Sequence, residues 1–258
     1  MRKILLLALT MLISLAASAV NYAEAGDSAY SKKEYATALE NYNQALQKQG
    51  TSSDLYYNIG NTYYRLGDIA HSVIFYERAL VLDPSNKDAR TNLAFVKKGI
   101  AGAPEDDSTF LSNIHMRIEA WMSPNAWAWS AFGLFVVFCL CIATYLFAEK
   151  TTLRKTGFFG GIVIFVVFIY VLVIAWTTAA AIDEHDYAVV TSPVSNMRSQ
   201  PSSKSSKGDK IIPIYEGTKL QIVDSLATPD DDTVSMWYEA RINNTSRAWI
   251  NAADVERI

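Results

Sequence analysis

The sequence predicts a multidomain chain made of an all-α helical repeat, a two-helix transmembrane hairpin and a small all-β barrel, in that order. Three observations carry this expectation. Residues 20–100 echo themselves at a period of 34, two charge-free apolar runs follow at Ala126–Ala148 and Phe158–Ile182, and short β-branched runs alternate with turns from Tyr187 to Ile258. Half of the 258 residues are hydrophobic. Because they are clumped, what remains forms two modest soluble pieces, which argues against a single large catalytic core. An aromatic content of 12 % excludes disorder, and two cysteines, Cys139 and Cys141, exclude a disulfide-stapled fold. A net charge of −3 argues against nucleic acid as a partner.

The chain opens Met1-Arg2-Lys3, continues with an apolar run Ile4–Leu15, and then reads Ala17-Ser18-Ala19. A basic start, a short apolar core and small residues at −3 and −1 predict a signal peptide over 1–19, cleaved after Ala19. The 12-residue apolar core is short for ~30 Å of hydrocarbon, which disfavours an uncleaved anchor. No cysteine follows it, so a lipoprotein anchor is not expected.

In residues 20–100, Gly26 returns as Gly60, Ala38 as Ser72, Tyr42 as Tyr76, and Ala45-Leu46 as Ala79-Leu80. Apolar and small positions recur at three- and four-residue spacing, so each unit is a helix pair. The units lie near 19–52 and 53–86, with a capping helix over 86–98. Gly67-Asp68 and Asp83-Pro84-Ser85-Asn86 supply the stop and start signals. The second unit resembles the tetratricopeptide repeat, with Tyr56, Ile59, Gly60, Tyr63, Ser72, Tyr76, Ala79 and Pro84 at the eight signature positions. The first unit departs from it, with Lys33 where the turn glycine belongs and Ala25 and Ala29 in place of larger residues. The resemblance implies a concave face lined by the first helix of each unit: Asp27, Tyr30, Tyr57, Asn58, Asn61, Tyr64 and Arg65. Some members of that family clamp a peptide carboxylate there. Asn58 fits such a clamp, but Ala23, Asp27 and Asp88 stand where its other partners belong. The expectation is an aromatic-and-amide groove for an extended or helical peptide. Its plain alternative is that the tyrosines only cover the helix surface.

Residues 101–125 read as an acidic linker followed by a helix capped by Ser108 and running to Trp121. Phe110, Ile114, Ile118, Trp121 and Met122 share one face, which suits a helix lying on a bilayer or packing against the repeat. The runs 126–148 and 158–182 are long enough to span a membrane. Between them, segment 149–157 carries Lys150, Arg154 and Lys155 against Glu149, whereas the far flank reads Asp183-Glu184-His185-Asp186. The positive-inside rule puts that loop in the cytoplasm and both soluble parts outside, in the periplasm of a Gram-negative cell. Trp127, Trp129 and Trp176 then form an outer aromatic belt. Cys139 and Cys141 lie about 200° apart on a helix and cannot pair. Gly157 and Gly161 mark either a close helix approach or a flexible helix entrance.

Residues 187–258 contain five β-branched runs: Ala188–Val190, Ile211–Tyr215, Lys219–Val223, Trp237–Ile242 and Ala248–Ile250. This spacing predicts a small β-barrel. The landmarks Asn196-Met197-Arg198-Ser199-Gln200-Pro201, Glu216-Gly217-Thr218-Lys219-Leu220, Trp237-Tyr238-Glu239-Ala240-Arg241 and Ala248-Trp249-Ile250 resemble a bacterial SH3-like domain. Ala248 replaces that family's usual glycine. The resemblance implies an aromatic cleft for peptides or cell-wall peptides formed by Trp237, Tyr238 and Trp249. The competing reading makes both tryptophans core or rim residues. Lys204, Lys207 and Lys210 fall in a serine-rich loop read as solvated.

Nothing in the chain converges as catalysis requires. His71, His115 and His185 are scattered over a repeat turn, a juxtamembrane helix and a membrane exit, with no nucleophile motif, phosphate loop or metal-ligand cluster. Asp230-Asp231-Asp232 lacks the oxygen-ligand spacing for calcium. Neither an enzyme nor a cofactor is expected. The order of modules along the whole chain resembles the tetratricopeptide family of the bacterial aerotolerance (Bat) operon. That resemblance implies envelope membrane partners, von Willebrand factor A-type Bat proteins together with a MoxR-type ATPase, in envelope integrity or stress tolerance. The expected function is a non-enzymatic inner-membrane scaffold or adaptor. The alternative is a tether or sensor that recognises peptidoglycan through the SH3-like domain.

Overall fold

A computed structural model describes residues 21–100, 110–180, 182, 187–201, 210–230, 233–241 and 247–258. The expected signal peptide, the acidic linker, the Ser108 cap, the flank Asp183–Asp186, Lys204 and Lys207 lie outside the described residues.

Five helices form the repeat: α1 (Tyr22–Ser31), α2 (Tyr35–Gln49), α3 (Ser53–Leu66), α4 (Ile69–Leu82) and α5 (Lys87–Lys98). Four of them begin on a short polar side chain that accepts an otherwise unpaired backbone N–H. Asn21 accepts from Glu24, Ser52 from Leu55, Asp68 from His71 and Asn86 from Ala89. The two intra-unit turns need a left-handed residue. Gly67 supplies it at φ 86°, and Lys33 is forced to the same region at φ 65°. The core between the helices holds Tyr42, Ile59, Val73, Ile74 and Tyr76, all fully buried. An added Cβ on Gly60 would stand 2.8 Å from Tyr76 Cδ1, so the glycine makes room for the tyrosine ring itself. Gly26 stands in the same relation to Tyr42.

Three helices follow: α6 (Phe110–Glu119), α7 (Pro124–Phe147) and α8 (Thr151–Ala180). The last two are long and apolar enough to cross a membrane. Three expectations change here. The segment 149–157 is helical from Thr151, so the break between the two helices is only a few residues and Arg154 and Lys155 sit in the first turns of α8. Trp127 does not join an outer belt. It is buried with Ile174 and Ala131, and its indole N–H donates to the Glu119 carbonyl at 3.3 Å, whereas Trp129 and Trp176 are exposed. Gly157 is no flexible entrance, because a Cβ there would meet the Cys141 carbonyl and the Tyr145 amide, each at 2.8 Å. Ile118 of α6 packs against the Trp127 cluster, and Phe110 and Trp121 stay exposed.

The C-terminal region is a seven-stranded antiparallel sheet: β1 (Tyr187–Val190), β2 (Val194–Arg198), β3 (Ile211–Tyr215), β4 (Lys219–Asp230), β5 (Thr233–Arg241), β6 (Arg247–Asn251) and β7 (Val255–Arg257). The strand order is β3-β2-β6-β5-β4-β1-β7. Its inner face gathers Val190, Met197, Ile214, Leu220, Ile222 and Ile250 into one core. A register shift between Ile222 and Asp224 bends β4. Asp254 clips the loop after β1 to β2 by accepting from Ser192 at 2.8 Å and Ser195 at 2.6 Å.

The two soluble pieces are not independent. Val189 of β1 and Ile258 belong to the repeat's hydrophobic cluster, while Ala188 and Val190 face the core of the sheet. Strand β1 is therefore buried on both faces, which is why its sequence is apolar throughout instead of alternating.

Candidate functional site

The repeat groove is built on α3, whose inward stripe Tyr57, Asn61 and Tyr64 faces α1 on one side and α5 on the other. The polar side chains of the groove bond to one another. Asp27 accepts from the Tyr42 hydroxyl at 2.7 Å and from the Asn58 amide at 3.1 Å. One repeat later, Asn61 accepts from the Tyr76 hydroxyl at 2.6 Å and from the Asn92 amide at 2.8 Å. The two tyrosine bonds are the same contact displaced by the 34-residue period. Burial pushes the Tyr76 hydroxyl up to about 12, the Asn92 contact working against it, and burial followed by the Asp27 bond raises Tyr42 as well. Both hydroxyls therefore stay neutral donors that hold the groove in shape.

What this ladder leaves facing outward is aromatic. Tyr30, Tyr57, Tyr64 and Phe95 surround a cavity of about 290 Å³, with Arg65 at its rim. Tyr64 and Phe95 meet edge to face at 6.0 Å, and Arg65 Nε donates to the Tyr30 hydroxyl at 3.4 Å. Five of the seven predicted groove residues, Tyr30, Tyr57, Asn61, Tyr64 and Arg65, line this space. Asp27 and Asn58 form the adjoining rung of the ladder, so Asn58 is committed to Asp27 and is not presented as a carboxylate clamp. Asn92 and Phe95 were missing from the expectation, which gave α5 only a capping role. The period could have supplied them, since Asn92 stands one repeat after Asn58 and Phe95 one repeat after Asn61.

Beside the groove, the sheet docks on α4 through charge as well as apolar contact. Glu77 is buried and reaches Lys97 of α5 at 2.7 Å and Lys219 of β4 at 2.8 Å. Burial alone would raise its pKa, but Lys219 and Lys97 outweigh that and bring it down to about 2. Glu256 of β7 contacts Arg78 at 3.0 Å and His71 at 3.3 Å, and Glu216 accepts the Ala70 backbone N–H at 3.1 Å. A second cavity of about 510 Å³ opens where the end of α5 meets the sheet.

The three residues expected to form an aromatic cleft on the sheet do not share a face. Side chains alternate along a strand, so Tyr238 packs on the inner core, with the Arg257 guanidinium 4.9 Å from its ring centre, while Trp237 lies on the opposite face of β5. Trp249 shares that face with Trp237, because Glu239 pairs with Trp249 and Asn251 with Trp237. Trp237 is only 3 % exposed, and its indole N–H has no hydrogen-bond partner among the described residues. Trp249 is half-buried. No group of three or more metal-ligating side chains occurs among the described residues.

Stacked helix pairs with an open, internally braced groove define a helical-repeat binding module. Comparison with protein families gives the type: residues 26–67 match the TPR repeat model and residues 53–86 match the tetratricopeptide repeat. The chain thus carries tetratricopeptide repeats over 26–86, modules of protein–protein interaction that are typically non-catalytic. No curated protein matches the chain.

Proposed function

We propose that this protein is a membrane-anchored, non-enzymatic scaffold that presents its repeat groove, with the sheet docked beside it, to protein partners outside the cytoplasmic membrane. The observation that carries the reading is the polar ladder Asp27–Tyr42 and Asn61–Tyr76–Asn92: it satisfies the amides internally and leaves the aromatic faces free for a ligand. The two apolar helices, the charged residues between them and the N-terminal export signature support a two-pass anchor with both soluble parts outside. The order of modules supports a place among the aerotolerance (Bat) proteins, with von Willebrand factor A-type partners in an envelope complex.

The test is to place photocrosslinking amino acids at Tyr57 and Tyr64 of the full chain in membranes. The expected result is a shared set of protein adducts from both positions and none from exposed Glu40 on α2. Adducts to lipid alone would sink the proposal.

A second reading has one specific observation behind it. Trp237 and Trp249 lie on the same face of the antiparallel sheet, and the buried indole N–H of Trp237 lacks a partner among the described residues. On that reading the chain is a peptidoglycan tether. Sedimentation of the detergent-solubilised full chain with purified peptidoglycan, lost on Trp249→Ala, would favour it.

A further inference from the structure

The cavity inside the repeat groove and the cavity at the junction with the sheet adjoin across a common wall. Both are walled by Tyr64, Phe95 and Val96, so the Tyr64–Phe95 pair is a ridge between two rooms of one trough. Phe95 is 65 % exposed at that ridge, off the buried face of α5 formed by Ala89, Leu93 and Val96. The far room is walled by Ile69, Ile100, Pro193 and Tyr215, so strands β2 and β3 and the residues beside them complete it. The docking contacts around Glu77 and Glu256 hold that wall against the repeat.

Among the charged side chains that line the trough, two cations, Arg65 and Lys98, outnumber one carboxylate, Glu216. Arg65 and Lys98 are exposed at its rim. The nearby acid, Glu216, is committed to the N-terminal turn of α4 through the Ala70 N–H, and Lys97 is committed to Glu77.

We propose that the binding surface does not stop at the repeat but crosses α5 onto the sheet. Its occupant is an extended partner peptide that seats an aromatic or branched apolar side chain in the junction cavity and sets acidic side chains over Lys98 and Arg65. This rests on the repeat groove being a peptide site. It adds a second anchor that the repeat alone does not possess, and a charge preference. An apolar anchor in a desolvated pocket supplies affinity, and the flanking charge supplies selection.

The experiment uses the full chain in nanodiscs, panned with a random twelve-residue peptide display library. The recovered peptides are then measured against variants by fluorescence anisotropy. The expected peptides carry an aromatic or branched apolar residue with Asp or Glu nearby. Their affinity should fall more than tenfold with Phe95→Ser and with Tyr215→Ala, and Lys98→Glu should shift the selected flank toward Lys or Arg. Peptides that respond to Tyr57→Ala but not to Tyr215→Ala would overturn the two-room site and leave the repeat groove standing. Peptides that respond to neither, or no enrichment at all, would overturn both. Basic flanks selected by the unaltered chain would overturn the charge preference. Circular dichroism of Tyr215→Ala, and its retained binding of any peptide that uses only the repeat groove, separate lost contact from lost fold.

Discussion

Glu77 of α4 and Lys219 of β4, 142 residues apart in sequence, meet at 2.8 Å inside the contact between repeat and sheet. Lys97 takes the other carboxylate oxygen, so a buried acid is compensated by one cation from each side of the junction. The native carboxyl titrates near 2, below its ordinary 4.5, so between those values the unfolded chain binds the proton that the folded chain refuses. The resulting stabilisation is complete above pH ~4.5 and disappears as pH falls toward 2. Its size is at most about 3–4 kcal/mol, since each pKa unit is worth ~1.4 kcal/mol. Urea unfolding followed from pH 6 to pH 2.5 should show this loss in the unaltered chain and a flatter profile in Glu77→Gln. Equal slopes in both would show that Glu77 does not carry the effect.

Lys33 holds a left-handed turn that its side chain disfavours, and Gly67 holds the equivalent turn without that cost. Lys33→Gly should raise stability by about 0.5–1 kcal/mol, the relief of backbone strain exceeding the added freedom of the unfolded chain. Gly67→Ala should lower it by a similar amount. Denaturant midpoints at unchanged slope check both. A destabilised Lys33→Gly would mean that the lysine stem contributes more than the strain removes.

Gly60 makes room for the Tyr76 ring, and a methyl group there would sit 2.8 Å from Cδ1. Tyr76 cannot retreat without giving up its bond to Asn61, so Gly60→Ala should cost about 1–3 kcal/mol and loosen the groove as well. Combining Gly60→Ala with Tyr76→Leu should cost clearly less than the two single changes added, because the smaller side chain removes the collision. Strict additivity in a double-mutant cycle would refute the proposed contact.

The parts of this fold that follow from short-range pattern were legible in the sequence. Periodicity marks the helix pairs, Asn, Ser and Asp mark the helix starts, and Gly67 marks a turn, because each of these is a local matter of backbone geometry. Five of the seven predicted groove positions, those that line the cavity, follow from the tetratricopeptide resemblance, since the face of a repeat is set by its register. Less legible was whatever depends on a partner far away in sequence. Nothing local says that Trp127 will tuck under Glu119 or that Phe95 will stand at the edge of the sheet. Ala188–Val190 reads only as a strand of the barrel, and even an all-apolar strand does not say what covers its second face. The split of Trp237 from Tyr238 was available from strand alternation alone and needed no structure.

The approach of α7 and α8 gives the sharpest geometric test. An ideal Cβ at Gly161 would lie 3.4 Å from Cys141 Cβ, close to the range found in disulfides, while Cys139 lies on another side of α7 and is exposed. Gly161→Cys should therefore pair with Cys141 under mild oxidation in detergent or membranes. It should do so equally well in a Cys139→Ala background and not at all in Cys141→Ala. Loss of maleimide labelling at both thiols, with the linked peptide identified by mass spectrometry, is the readout. The register also forecasts a cost on moving one turn back along α8. At Gly157 even a methyl group would meet the Cys141 carbonyl and the Tyr145 amide at 2.8 Å, so Gly157→Cys should separate the helices and form no pair efficiently. Efficient pairing from position 157, or pairing from 161 to Cys139, would require a different helix register.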